Sequence, residues 1–107
     1  MPFYLMAIQN GLAGKSLRGA YLGLGSTYRT LGQYAESKQT LLEGLRHFPE
    51  ATEMRVFLAM ALYNLAEYHE AVASLLCVIA DTTSDSETKS YERAIRLYAE
   101  DLSRRWD

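Results

Sequence analysis

The chain has 107 residues, of which 49% are hydrophobic, with 11 Lys and Arg against 13 Asp and Glu. This size and apolar content describe a single folded domain and exclude a disordered segment, while a single cysteine excludes a disulfide scaffold. Leu and Ala account for 29 residues and Val and Ile for six, so an all-α fold is predicted. The net charge of −2 argues against nucleic acid or an anionic membrane surface as a partner.

The N-terminal residues are apolar at helical spacing. Leu5, Ile8 and Leu12 follow this spacing, and a helix is predicted from about Phe3 to Gly11. It would be the second helix of an incomplete earlier unit, joined to the next helix by a loop that ends at Ser16. No capping residue precedes it, which indicates that the chain is a fragment of a longer protein.

Several features predict a cytoplasmic protein without a membrane segment. The N-terminus has neither the basic leader nor the cleavage site of a secretory signal. No apolar stretch reaches the roughly 18 residues that span a bilayer. The single cysteine, Cys77, lies in an apolar run, where a buried and inert thiol is expected.

Two helices are predicted next, from about Ser16 to Thr30 and from about Tyr34 to His47. Gly32 ends the first, because glycine accepts the left-handed backbone common after a helix. Pro49 stops the second. The inward side chains of the pair are predicted to be Tyr21, Leu24, Tyr28, Leu31, Tyr34, Leu41, Leu45 and Phe48.

A second helical pair follows, with a turn at Ala66 and Glu67 and a helix from about Tyr68 to Ala80. Its inward side chains are predicted to be Leu58, Leu62, Leu65, Ala71, Leu75 and Ile79. A final amphipathic helix is predicted over 86–105, with a capping box formed by Ser84 and Glu87. Its apolar stripe consists of Tyr91, Ala94, Ile95, Tyr98 and Leu102.

The two pairs are copies of one another at an offset of 34 residues, without a gap. Identical residues coincide at Leu24 and Leu58, Leu31 and Leu65, Tyr34 and Tyr68, Glu36 and Glu70, Leu41 and Leu75, and Leu42 and Leu76. A helical pair cannot bury its apolar face alone, so pairs must stack into a short superhelix. Small residues at Gly25, Gly44 and Ala59 would let the helix axes approach closely.

These residues resemble the tetratricopeptide repeat. The first unit meets its pattern with Tyr21, Leu24-Gly25, Tyr28, Gly32-Gln33-Tyr34, Glu36-Ser37, Leu41, Gly44 and Pro49. The second keeps Leu58-Ala59, Leu62, Tyr68, Glu70-Ala71 and Leu75 but has Arg55, Val78 and Thr83 where the pattern has an aromatic, a small residue and proline. The predicted domain spans 1–107: a partial helix and loop in 1–17, repeats in 18–51 and 52–85, and a capping helix in 86–107.

The resemblance implies a non-enzymatic module that binds a protein partner on the concave surface formed by the first helix of each pair. The outward residues of those helices that would make this binding surface are Leu22, Ser26, Arg29, Glu53, Val56, Met60 and Tyr63. They lack the Lys, Asn and Arg clamp with which some members grip a C-terminal carboxylate. Their apolar character favours a helix or an extended apolar peptide. The alternative is that they pack against the chain's own N-terminal helix or a second copy.

Signals for chemistry are weak. Gly14-Lys15-Ser16 resembles the end of a phosphate-binding loop, but Gln9 stands where that loop needs glycine, so nucleotide binding remains an unfavoured alternative. His47 and His69 have no recurring metal-ligand spacing, and no metal or cofactor is predicted. Glu36 and Glu70 occupy equivalent turns, as a repeat feature rather than an acid–base pair.

Self-association is the competing structural hypothesis. The apolar N-terminal helix, with Tyr4, Leu5 and Ile8, has no preceding partner helix, and an uncovered apolar patch commonly binds a second copy. A homodimer is therefore predicted, through this edge or through Met60 and Tyr63.

Overall fold

Short connections join consecutive helices into two antiparallel pairs that stack side by side. The computed structural model describes Leu5, Ile8 and residues 14–103. The helices are α1 (Gly14–Thr30), α2 (Tyr34–His47), α3 (Thr52–Asn64), α4 (Tyr68–Thr82), α5 (Ser86–Ser90) and α6 (Glu92–Glu100). Within this part of the chain there is no strand, as the composition predicted. The first pair packs on the second through α1, α2 and α3, and α6 packs on α4.

The turns inside the two pairs have the same backbone geometry. Gly32 and Ala66 both have left-handed φ angles, +78° and +63°. The N–H of the next residue donates to Tyr28 O at 2.8 Å in the first turn and to Leu62 O at 2.9 Å in the second. The hydrogen bonds therefore repeat in the same register as the sequence, although Ala66 accepts a backbone conformation that glycine adopts more easily.

The core lies along the seam between the pairs. It contains Tyr21, Leu41, Ala51, Met54, Leu58, Ala59, Leu62 and Ala71, with Ile8, Leu17, Leu22, Leu45, Phe48 and Phe57 packed around it. Inside the first pair, Ser37 of α2 is a buried polar residue, and its hydroxyl donates to Gly25 O of α1 at 2.7 Å. The predicted burial of Leu24, Leu41, Leu58, Leu62 and Ala71 is confirmed.

Other inward predictions are wrong for reasons of neighbouring structure. Leu75 and Ile79 are exposed on α4, because no full helical pair covers that face of the second unit. Leu31 is exposed at the end of α1, next to the turn. Cys77 is half-buried rather than buried. Tyr28, Tyr34 and Leu65 are half-buried.

The first helix starts earlier than predicted. Gly14 is its first residue, so Lys15 and Ser16 lie in the first turn of the helix and not in the preceding loop. All three residues of this Gly-Lys-Ser segment are exposed. Most of the predicted helix from Phe3 to Gly11 lies outside the described residues, but Leu5 and Ile8 are helical.

The final helix also departs from the prediction. It consists of two pieces, α5 and α6, that meet at Tyr91, and α6 ends at Glu100. Asp85 is the N-cap, accepting from the Thr88 N–H at 2.8 Å, so the capping box at Ser84 is wrong. Tyr91, Tyr98 and Leu102 are exposed, whereas Ala99 is buried. In the described part of the chain, no helix has the length and apolar character of a membrane span.

Candidate interaction groove

An apolar groove lies between the two helices of the second unit. Met60 and Tyr63 of α3 form one wall, and Val72 and Leu75 of α4 form the other. Ala59 and Ala71 lie between the walls, and Arg29 of α1 closes one side. The groove encloses about 250 Å³. We call these residues the α3–α4 groove.

Large apolar side chains in this groove remain open to solvent. Tyr63 is 62% exposed, Val72 45% and Leu75 39%. The Tyr63 ring also contacts the Tyr68 ring, with centroids 5.4 Å apart, so the groove has an aromatic margin. Contiguous apolar exposure of this kind commonly marks an interaction site.

Polar side chains beside the groove are used to hold the units together. The Arg29 guanidinium donates from Nε to Asn64 Oδ1 at 2.8 Å, joining α1 to α3. Lys38 Nζ lies 3.0 Å from Glu67 Oε1, joining α2 to the turn before α4. These groups fix the relative position of the two pairs and leave the groove wall apolar.

A similar pair joins the N-terminal parts of α1 and α3. Arg18 donates to both carboxylate oxygens of Glu53, with Nη2 2.7 Å from Oε1. The hydrogen bond from Arg18 lowers the pKa of the Glu53 carboxyl and raises the pKa of the guanidinium. A fork-to-fork pair of this geometry fixes orientation as well as charge.

The predicted binding surface divides into three groups. Arg29, Met60 and Tyr63 meet in the α3–α4 groove. Leu22 packs against the core and Glu53 is paired with Arg18. The remaining two, Ser26 and Val56, are half-buried and do not line the groove.

Sequence reasoning missed the second wall of the groove. The sequence pattern does not single out Val72, and it assigns Ala71 and Leu75 to the core. The repeat itself contains a signal that could have found this wall. The helical pair that follows α2 covers α2 with apolar side chains of α3. The segment that follows α4 has polar residues at the equivalent positions, so it cannot cover α4 in the same way. These polar residues are Asp85, Thr88 and Glu92, which are equivalent by the 34-residue offset to Ala51, Met54 and Leu58 of α3.

The groove lining has the chemistry of a docking surface rather than a reaction centre. It presents apolar side chains and one guanidinium, without a carboxylate, imidazole or thiol. Within the described residues no group of three or more His, Cys, Asp or Glu side chains could hold a metal ion. His47 stacks on Tyr21, with ring centroids 5.6 Å apart, and His69 is exposed in the first turn of α4.

The fold and the groove together define an α-helical repeat protein with an open apolar surface on its second unit. A family model described as tetratrico peptide repeat matches residues 1–102. The chain therefore belongs to the tetratricopeptide repeat family, and the match extends beyond the two units in both directions. Members of this family are in general non-enzymatic scaffolds for contacts between proteins. A search of curated proteins found no match.

Proposed function

We propose that the chain is a non-enzymatic, cytoplasmic module that binds a partner protein, and that the α3–α4 groove is its binding surface. The observation that carries the proposal is the exposure of Tyr63, Val72 and Leu75 around one concavity. Covering such side chains releases about 25 cal/mol per Å² of apolar surface. Membership of the tetratricopeptide repeat family supports the same function.

Self-association through the N-terminal edge has less support. Ile8 packs against the core cluster, whereas Leu5 is exposed. Of the three side chains proposed for that edge, Ile8 is thus already used inside the chain, and Tyr4 lies outside the described residues.

The test compares two variants with matched exposure. Val72→Glu puts a carboxylate in the groove, and Leu42→Glu puts one on α2, where Leu42 is 44% exposed and outside the groove. Each tagged protein is used to capture proteins from cytosol, with quantitative mass spectrometry as the readout. We expect a set of proteins lost with Val72→Glu and retained with Leu42→Glu. Identical sets would refute the groove as the binding surface, provided both variants keep the parent helical circular dichroism.

A further inference from the structure

Leu41 and Leu75 occupy the same position in the two units but differ in what covers them. Leu41 is fully buried, whereas Leu75 is 39% exposed. The following helix, α3, packs along α2 of the first unit, where Gly44 lies against Met54 of α3. The α3–α4 groove is therefore the place where the stacking interface would continue if another helix followed in register.

The chain's own α5 and α6 do not continue that interface in register. Val78 stands where the first unit has Gly44, so at this point a helix must lie farther from α4 than α3 lies from α2 at Met54. The residues equivalent to Met54 and Leu58 are Thr88 and Glu92, which cannot replace the apolar stripe of α3. α6 packs on α4 without lining the groove.

The occupant that fits the groove differs from α3 in one respect. On the equivalent face of the first unit, Arg29 and Lys38 pair with Asn64 of α3 and with Glu67. In the second unit the equivalent residues are Tyr63 and Val72. A helix docked there meets apolar side chains where α3 meets cations, so an apolar residue is favoured in place of Asn64.

We propose that the α3–α4 groove binds an amphipathic helix of a partner protein, which lies on α3 and α4 in the orientation that α3 has on α1 and α2 but farther from α4 at Val78. This inference rests on the proposed function and specifies the form of its ligand. The continuity of the stacking interface from the first unit to the second supports a helix. Loss of both polar anchors makes the favoured helix apolar at the position equivalent to Asn64.

The probe is a synthetic, fluorescently labelled peptide of residues 50–67 of this chain, with three lysines added for solubility. Its Asn64→Leu form is the better mimic of the proposed ligand. Binding is measured by fluorescence anisotropy with the full chain at concentrations up to about 100 μM. A groove whose dissociation constant is well below that concentration is then mostly occupied by peptide. We expect the Asn64→Leu peptide to bind several-fold more tightly than the unmodified peptide.

Protein and peptide variants locate the site and the conformation. We expect Val72→Glu, and independently Tyr63→Glu, to weaken binding by about tenfold or more, and Leu42→Glu to leave it unchanged. A peptide with proline in place of Phe57 cannot form the helix and should not bind. Circular dichroism melting establishes that each protein variant is folded.

Three results would overturn the inference. They are equal binding of the proline and helical peptides, equal binding by Val72→Glu and Leu42→Glu, and no binding of either helical peptide. A doubled mass of the unmodified chain in light scattering, restored to monomer by Val72→Glu, would instead assign the groove to a second copy. If the peptides fail while cytosolic capture still depends on Val72, the proposed function stands and the helical ligand does not.

Discussion

Two glycines of the first unit lie where neighbouring side chains approach most closely. A methyl group on Gly25 would meet Leu41 Cγ at 2.6 Å, and one on Gly44 would meet Met54 Sδ at 2.5 Å and Tyr21 Cβ at 2.9 Å. These distances are too short for contacts between a methyl carbon and a carbon or sulfur atom, so a side chain at either position requires a shift of the packed core. The small residues predicted at these positions therefore have a steric reason.

Gly44→Ala should destabilise the chain. Overpacking costs about 1–3 kcal/mol and exceeds the ~1 kcal/mol that alanine gains over glycine inside a helix. Urea unfolding measures the difference. The matched control is Gly19→Ala in α1, where nothing lies within 4 Å of the added methyl group, so a gain of about 0.5–1 kcal/mol is expected. Equal stabilisation by both substitutions would contradict the steric argument.

Leu41 and Leu75 occupy the same repeat position, but only Leu41 is buried. Substituting each one shows how much its burial under a neighbouring helix contributes to stability. Leu41→Ala leaves a cavity in the closed seam and should cost about 2–5 kcal/mol. Leu75→Ala removes a side chain that already faces solvent in part, and we expect less than half that loss in free energy of unfolding. Chemical unfolding of both variants provides the comparison. Equal losses would mean that the groove is closed in solution.

At the level of helices, one carboxylate joins three elements. Asp81 at the end of α4 contacts Arg55 of α3 and Arg96 of α6, each at 2.7 Å. The hydrogen bond from Arg96, followed by that from Arg55, holds the pKa of the Asp81 carboxyl below its usual range. Glu92 lies 3.5 Å from Arg96 Nε and extends the cluster. This cluster orients α6 on the second unit.

Asp81→Asn should lower stability at neutral pH and have a smaller effect in acid. The folded pKa of Asp81 is lower than the unfolded pKa, so the unfolded chain binds the proton more readily. The contribution is therefore complete above about pH 5 and is lost as the pH falls below about 4, through the folded pKa. Unfolding free energies measured from about pH 2 to 7 give the profile. A difference between variant and parent that stays constant across this range would show that Asp81 does not act through its charge.

The pattern of local elements was largely predictable from the sequence. Helix α2 has the predicted bounds, and the turns at Gly32 and Ala66 lie where the repeat placed them. The break in the terminal segment was not predictable, because α5 and α6 meet at Tyr91 inside a sequence pattern that predicts one continuous amphipathic helix. Its position depends on Asp81, Arg55 and Val78, which belong to other helices.

As a whole, the molecule is elongated, with extents of 53 × 28 × 18 Å. Its radius of gyration is 15.5 Å, against about 13 Å for a compact domain of this length. Such a shape follows from stacking, in which each unit contacts only its neighbours. The stability of the chain then depends on a helix packing over the apolar face at each end of the stack.

Deleting residues 86–107 should expose the face of α4 that α6 covers. Val78 and Ala80 are buried on α4 in the intact chain. We expect a lower melting temperature and increased binding of an apolar dye, because the last unit loses its neighbour. Thermal melting and dye fluorescence measure both. A truncated chain that stays soluble and melts with the parent would contradict a capping role for α5 and α6.

Helical periodicity and the 34-residue register were enough to predict the fold class, helices α1 to α4 and the positions of the turns at Gly32 and Ala66. They also singled out Arg29, Met60 and Tyr63 of the candidate groove. The second wall, Val72 and Leu75, emerged only from the tertiary structure. Leu41 and Leu75 have the same local pattern, but one is covered by α3 and the other is not. Burial depends on which side chains a distant helix brings to a surface, and periodicity within one helix carries no information about that partner.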